Sequence, residues 1–221
     1  MSQMIDIDRV CSLCGVTSRQ MILLESDARG SPDLDLRPPE SLRSTISSWI
    51  QHCPSCGYCS TDIGQFIEGV DAIVRSREYR DQLSDLSLPL LARRFLCWSI
   101  ILRDLHYTAK AGWAILHAAW VCDDAGDSAS ASYCRQQAFH SFSEARRSNI
   151  RFADGDHMEE TILADLLRRS GRCDEAEAIC MINTSASPEL SYEQYLTMNR
   201  DQDVHRLYEA RSYGVKPVTN G

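Results

Sequence analysis

Apolar residues return at intervals of three and four along most of this chain, the period of a helix that buries one stripe. After Ser60-Thr61-Asp62, which reads as a helix cap, Ile63, Phe66, Ile67, Val70, Ile73 and Val74 keep that spacing and predict an amphipathic helix. Pro89 opens another, running to about Leu105, because proline fits the first turn of a helix. The same period predicts helices over about 108–125, 128–147, 157–170 and 173–184. Their connections are short, so neighbours should pack as antiparallel hairpins.

Before residue 60 the pattern changes. Pro39 to Ile50 places Leu42, Ile46, Trp49 and Ile50 on one face of a short helix. Ahead of it, Asp33, Asp35 and Arg37 alternate with apolar residues and prolines from Ser31 to Pro39, which predicts an extended segment with one polar face. A cation or substrate site on Asp33 and Asp35 would need further ligands that the sequence does not offer. An Asp–Arg network pinning the loop to the knuckle is the simpler reading.

Chemistry enters with the cysteines. Cys11-Ser-Leu-Cys14-Gly15 and Cys53-Pro-Ser-Cys56-Gly57 are two copies of one pattern, with 38 residues between them. Two intervening residues form a tight turn that aims both sulfurs at one ion, and the glycine can take a positive φ. Each pair supplies half a tetrahedron. Four soft thiolates suit one structural zinc ion per chain and leave no position open for water. Cys53 and Cys56 alone would also fit a thioredoxin-type dithiol, but the pattern occurs twice and no α/β unit precedes it. Cys59 and His52 flank the second pair and could replace a ligand, though each breaks the repeated spacing. Cys97, Cys122, Cys134, Cys173 and Cys180 are scattered through helical pattern and read as small hydrophobes.

Charge and length narrow the partners. A net charge of −8 over 221 residues opposes binding to a phosphate backbone, which rests on clustered cations. Residues 1–60 are acidic too, with five Arg against seven Asp and Glu, so nucleic acid is an unfavoured partner. Residues 1–9 carry three charges and no apolar core, unlike a secretory signal. The most apolar runs, 95–102 and 111–122, fall short of the ~20 residues of a membrane span. The chain is expected in the cytoplasm, where cysteines stay reduced.

Trp113, His117 and Trp120 share one face of the 108–125 helix, and Asp123 and Asp124 close its end. Such a stripe is usually core packing; as an exposed groove it would be the site for a protein or peptide partner. A 34-residue tetratricopeptide frame started at His157 places Leu163, Ala164, Leu167, Gly171, Cys173, Ala176, Cys180 and Pro188 at its large, small and turn positions. Glu160 and Asn183 depart from it.

The Cys-x-x-Cys-Gly start, the Ser-Pro-Asp-Leu-Asp-Leu-Arg-Pro-Pro-Glu segment, the Cys-Pro-Ser-Cys-Gly-Tyr knuckle and the Ala-Ala-Trp-Val-Cys-Asp-Asp-Ala-Gly-Asp turn together resemble an uncharacterised bacterial family, a domain of unknown function. The resemblance spans residues 10 to about 205. It implies a zinc-ribbon-like N-terminus followed by tetratricopeptide-like helices, with ligand roles for Cys11, Cys14, Cys53 and Cys56. It implies no activity.

The expected fold is mainly α, a small zinc-ribbon-like region followed by helical hairpins resembling an irregular tetratricopeptide array. The expected division is a knuckle region over 1–60, a helical unit over 61–205 and a flexible tail over 206–221. The expected function is a zinc-binding interaction scaffold rather than an enzyme. The alternative is a thiol-redox or hydrolytic enzyme using Cys53 and Cys56 or Asp33 and Asp35.

Overall fold

A computed structural model of the chain describes residues 2–26 and 30–186; the expected tail, Pro188 and the end of the expected helical unit lie outside them. Two small antiparallel hairpins come first. Strand β1 (Gln3–Val10) pairs with β2 (Thr17–Glu25), and β3 (Gln51–His52) with β4 (Cys59–Ser60). The first hairpin follows from alternation in Met-Ile-Asp-Ile-Asp: Ile5 and Ile7 are half-buried opposite Ile22 and Gln20, whereas Met4, Asp6 and Asp8 face solvent. Period two is the signature of a half-buried strand.

Eight helices are described: α1 (Glu40–Arg43), α2 (Val70–Arg75), α3 (Arg77–Ser84), α4 (Leu90–Asp104), α5 (Thr108–Asp124), α6 (Ser128–Arg147), α7 (Met158–Arg169) and α8 (Cys173–Ala186). The last five agree closely with the spacing of apolar residues. The single helix expected over 39–50 is instead α1 followed by a 3-10 turn at Ile46–Ser48. Thr45 and Ser48 donate their hydroxyls to the carbonyls of Leu42 and Thr45, both at 2.7 Å, a local bond that competes with helix propagation. Ile46 and Ile50 are still buried.

The helix expected from Ile63 does not form before Val70. Asp62 accepts from the Gly64 N–H at 2.9 Å, closing a side-chain turn in place of a helix cap. Gly69 then enters α2 with φ +80°. Ile63 and Val70 are fully buried all the same, while Phe66 projects into solvent.

The ends of α4, α5, α6 and α7 repeat one device. His106, Gly126, Asn149 and Gly171 adopt positive φ. The next residue then donates its N–H five positions back: Tyr107 to Leu102 and Asp127 to Cys122, Ile150 to Ala145 and Arg172 to Leu167, at 2.8–2.9 Å. This left-handed cap satisfies terminal carbonyls and turns the chain sharply. It sets successive helices side by side: α4 packs on α5, α5 on α6, and α7 on α6 and α8.

Two large hydrophobic clusters, with a small third of Leu102, Ala111 and Ala114, hold the body together. The larger joins Ile46 and Ile50 to Phe95, Leu116, Trp120, Phe142, Phe152, Ile162 and Leu166. At its centre a Cβ on Gly112 would lie 2.6 Å from the Phe142 ring, so only glycine lets α5 and α6 approach so closely. The second cluster joins Cys11, Cys53, Tyr58, Cys59 and Ile63 to Val70, Val74, Tyr79, Cys97, Ile100 and Ile101. Packing thus runs without a break from the cysteine hairpins into α2, α3 and α4. None of the helices is long and apolar enough to cross a membrane, among the described residues.

Candidate metal centre

Each cysteine pair sits at a hairpin tip, and the two tips have one backbone pattern. In the first, the Cys11 N–H donates to Val16 at 3.0 Å and the Gly15 N–H to Cys11 at 2.9 Å; in the second, Cys53 donates to Tyr58 at 2.8 Å and Gly57 to Cys53 at 2.9 Å. Gly15 and Gly57 have φ of +72° and +81°, the left-handed turn that the glycines were expected to supply.

The tips face each other. Cys14 and Cys53 sulfurs are 3.5 Å apart, Cys11 and Cys56 sulfurs 3.7 Å, and all four lie within 4.8 Å of one another. Four sulfurs at a Zn–S distance of ~2.3 Å would form a tetrahedron with edges of about 3.8 Å. The group can therefore hold a metal ion. His52 and Cys59 are not part of it.

The thiols differ in acidity. Burial pushes the Cys11 and Cys56 thiols up, whereas the Val16 backbone N–H draws Cys14 down to about 7. Four thiolates this close need a compensating cation, and binding one releases their protons.

Three residues outside the motifs hold the tips in place. Gln20 of β2 accepts from the His52 N–H at 3.1 Å and donates to its carbonyl at 3.0 Å, lacing the first hairpin to the second. Tyr79 of α3 accepts from the Cys59 N–H at 2.9 Å and donates to the Gly57 carbonyl at 3.0 Å. Leu83 closes over the second tip, where a Cβ on Gly57 would meet it at 2.7 Å. Sequence reasoning missed all three. Gln20, an inward polar residue opposite Ile7, left a faint signal; Tyr79 and Leu83 left none.

The aspartates expected in the linker part company. Residues 33–37 are a closed turn rather than an extended segment: Asp33 donates its N–H to Arg37 at 2.8 Å and Leu36 to Asp33 at 2.9 Å, with Leu36 at φ 60°. Asp33 pairs with Arg43 at 2.9 Å. Asp35, fully buried, accepts from the Trp120 indole at 2.8 Å and from Arg169 at 3.1 Å. Each carboxylate is thus paired with a different arginine, and Asp35 binds the Trp120 indole as well. The Asp–Arg network expected to tie the loop to the knuckle instead binds it to the helices, through Asp35 and Arg37.

Trp113, His117, Trp120, Asp123 and Asp124 are engaged from within the chain. The Trp113 indole donates to the Phe152 carbonyl at 2.8 Å. His117 stands among the rings of Trp49, Phe95, Trp113 and Trp120 at 4.9–6.3 Å, and burial lowers it to about 4. Asp123 pairs with Arg135 and with Arg169 at 2.7 Å, and Asp124 with Arg37 at 2.5 Å. Burial acts to raise Asp123, but Arg135, Arg169 and Arg37 together bring it below the ordinary carboxylate range. The 33–37 turn therefore covers part of the surface expected to receive a partner.

Fold and site together define a four-cysteine centre between two small hairpins, built onto a body of helices. No protein-family model, no curated protein and no solved structure matches the chain.

Proposed function

We propose that Cys11, Cys14, Cys53 and Cys56 hold one structural zinc ion, and that the chain is a zinc-stabilised scaffold binding a protein or peptide in the cytoplasm. The convergence of two matching hairpin tips on one point carries the metal reading. Thiolate donors select a soft or borderline ion, and four of them close its coordination shell. A closed shell has no site for substrate or water, which favours a structural role over catalysis.

The scaffold reading rests on the helical body. Stacked hairpins present extended surfaces without needing a reactive centre, and Asp33 and Asp35, the carboxylates a hydrolase would use, are held by separate arginines. The kinship with tetratricopeptide arrays, and with the bacterial family that the motifs resemble, belongs to this proposal. Leu163, Ala164, Leu167, Ala176 and Cys180 are buried, as that frame wants, but Cys173 is exposed. A partner using Trp113, His117, Trp120, Asp123 and Asp124 would first have to displace the 33–37 turn.

Zinc-edge X-ray absorption on the full chain tests the metal assignment. The expected spectrum has four sulfur neighbours at ~2.3 Å; nitrogen or oxygen in the first shell would refute an all-cysteine site.

A further inference from the structure

The two halves of the metal centre share a backbone pattern and differ in their surroundings. The Cys53–Gly57 tip is a fixed jaw: Tyr79 bonds both Gly57 and Cys59, and Leu83 presses on Gly57. The Cys11–Gly15 tip is an open jaw beyond Ser12, whose N–H donates to the Ile63 carbonyl and whose hydroxyl donates to that of Gln65, both at 2.9 Å. Nothing lies within 4 Å of a Cβ built on Gly15, and Val10 and Val16 on either side are exposed. Of the four sulfurs' residues, Cys11 and Cys53 are buried, Cys56 is half-buried and Cys14 is exposed.

We propose that Cys14 is a modification site, the sulfur at which hydrogen peroxide attacks this centre, and that the attack ends in a Cys14–Cys53 disulfide with loss of the ion. The inference rests on the zinc reading above. Thiolate character and access decide which cysteine oxidises, and of the four ligands Cys14 is the exposed one. Peroxide transfers one oxygen to the Cys14 thiolate, giving a sulfenic acid and hydroxide. The Cys53 thiolate, its sulfur 3.5 Å away, then attacks the Cys14 sulfur, forming the S–S bond and expelling a second hydroxide. Two thiolates lose two electrons, one peroxide gains them, and two protons from solvent turn the hydroxides into water.

The bond needs the sulfurs to close to ~2.05 Å, and the exposed Cys14–Gly15 side of the first tip, unpacked beyond Ser12, is where the chain can give. Two of the four donors are then gone, so the ion leaves. The first hairpin stays attached through the disulfide, the Gln20 clasp on His52 and the Ser12 N–H bond to Ile63. The helical body keeps its own core.

The test uses the full chain with Cys173→Ser, which removes the other exposed cysteine. Zinc content is measured first; peroxide is then added in sub-stoichiometric steps, released zinc is followed with a chromogenic chelator, and disulfides are mapped by peptide mass spectrometry. The proposal predicts a Cys14–Cys53 bond as the first product and one zinc released per bond. A first disulfide between any other pair, or a site that stays loaded through several equivalents of peroxide, overturns it. A chain found metal-free before any oxidant is added overturns the zinc reading and this inference with it. Brief labelling with N-ethylmaleimide supplies an independent arm: Cys14 should be modified first, and earlier labelling of Cys53 or Cys56 contradicts the open jaw.

Discussion

Trp120 donates its indole N–H to the carboxylate of Asp35 across 85 residues of sequence, at 2.8 Å and out of contact with water. This bond joins the turn between the hairpins to the centre of the helical body. Around it Arg37, Arg135 and Arg169 face Asp35, Asp123 and Asp124. A buried ionic network contributes little net stability when intact, yet losing one member leaves its partners charged and unpaired.

Asp35→Ala removes at once the acceptor of the Trp120 indole, of Arg169 and of the Arg37 N–H, so a loss of about 3–5 kcal/mol is expected. Trp120→Phe keeps one aromatic ring but gives up the hydrogen bond and part of the buried indole's packing, so about 1–3 kcal/mol is expected. Urea denaturation of both variants checks the order. Equal losses would mean that the network does not act through Asp35.

The two tip glycines should respond unequally. Gly15→Ala meets only the cost of a left-handed alanine, about 1–2 kcal/mol, because the space beside Gly15 is open. Gly57→Ala meets that cost and a clash with Leu83, so it should lower the melting temperature further. Gly57→Ala combined with Leu83→Ala should recover part of the difference; no recovery would place the strain elsewhere.

Acid should weaken the fold through its buried histidines, against the opposite pull of Asp165, whose carboxyl is raised by burial and by the nearby Asp35. Burial lowers His117 to about 4 from an ordinary value of 6.5, so between these values the unfolded chain binds a proton that the native one refuses. Native stability is then complete above about pH 6.5 and declines as pH falls towards 4, by at most about 3 kcal/mol. His52, lowered to about 4 by burial and by Arg94, adds to the same window. Asp123, held below its ordinary value, weakens the fold only at lower pH still. Denaturation of His117→Phe across pH 4–7 should show a shallower slope than the parent chain; an unchanged slope would remove His117 from the account.

Metal removal should reach beyond the hairpins. Cys11 and Cys53 belong to one cluster with Val70, Val74, Tyr79 and Ile101, so stripping the ion with a chelator should raise hydrogen exchange in α2 and α3 along with both tips. Helices α5 and α6, which pack in the other cluster, should keep their protection. Exchange rising in the tips alone would show that zinc stabilises only the hairpins.

Much of this was legible in the sequence because it rests on local rules. Two residues between cysteines and a glycine after them specify a tip, and they recur in both halves of the site. Helices α4 to α8 follow from a steady 3.6 period with glycine at two of their four left-handed ends. The other two ends use His106 and Asn149, residues that tolerate positive φ without announcing it. Ile63 to Val74 kept a helical spacing, but an aspartate turn at Gly64 and a left-handed Gly69 outweighed it. Alternation at Asp33, Asp35 and Arg37 implied extension, whereas their partners lie as far off as Asp124 and Arg169. Long-range pairing of this kind bends a segment that local pattern alone would leave straight. The Tyr79 clasp on Gly57 spans 22 residues and belongs to the same class.

Native mass spectrometry of the full chain, purified without added metal, tests the central claim most directly. The account predicts one zinc ion per chain, lost from the Cys53→Ser variant and kept by Cys97→Ser. A folded parent chain carrying no metal, or one that keeps its ion after Cys53→Ser, would contradict it.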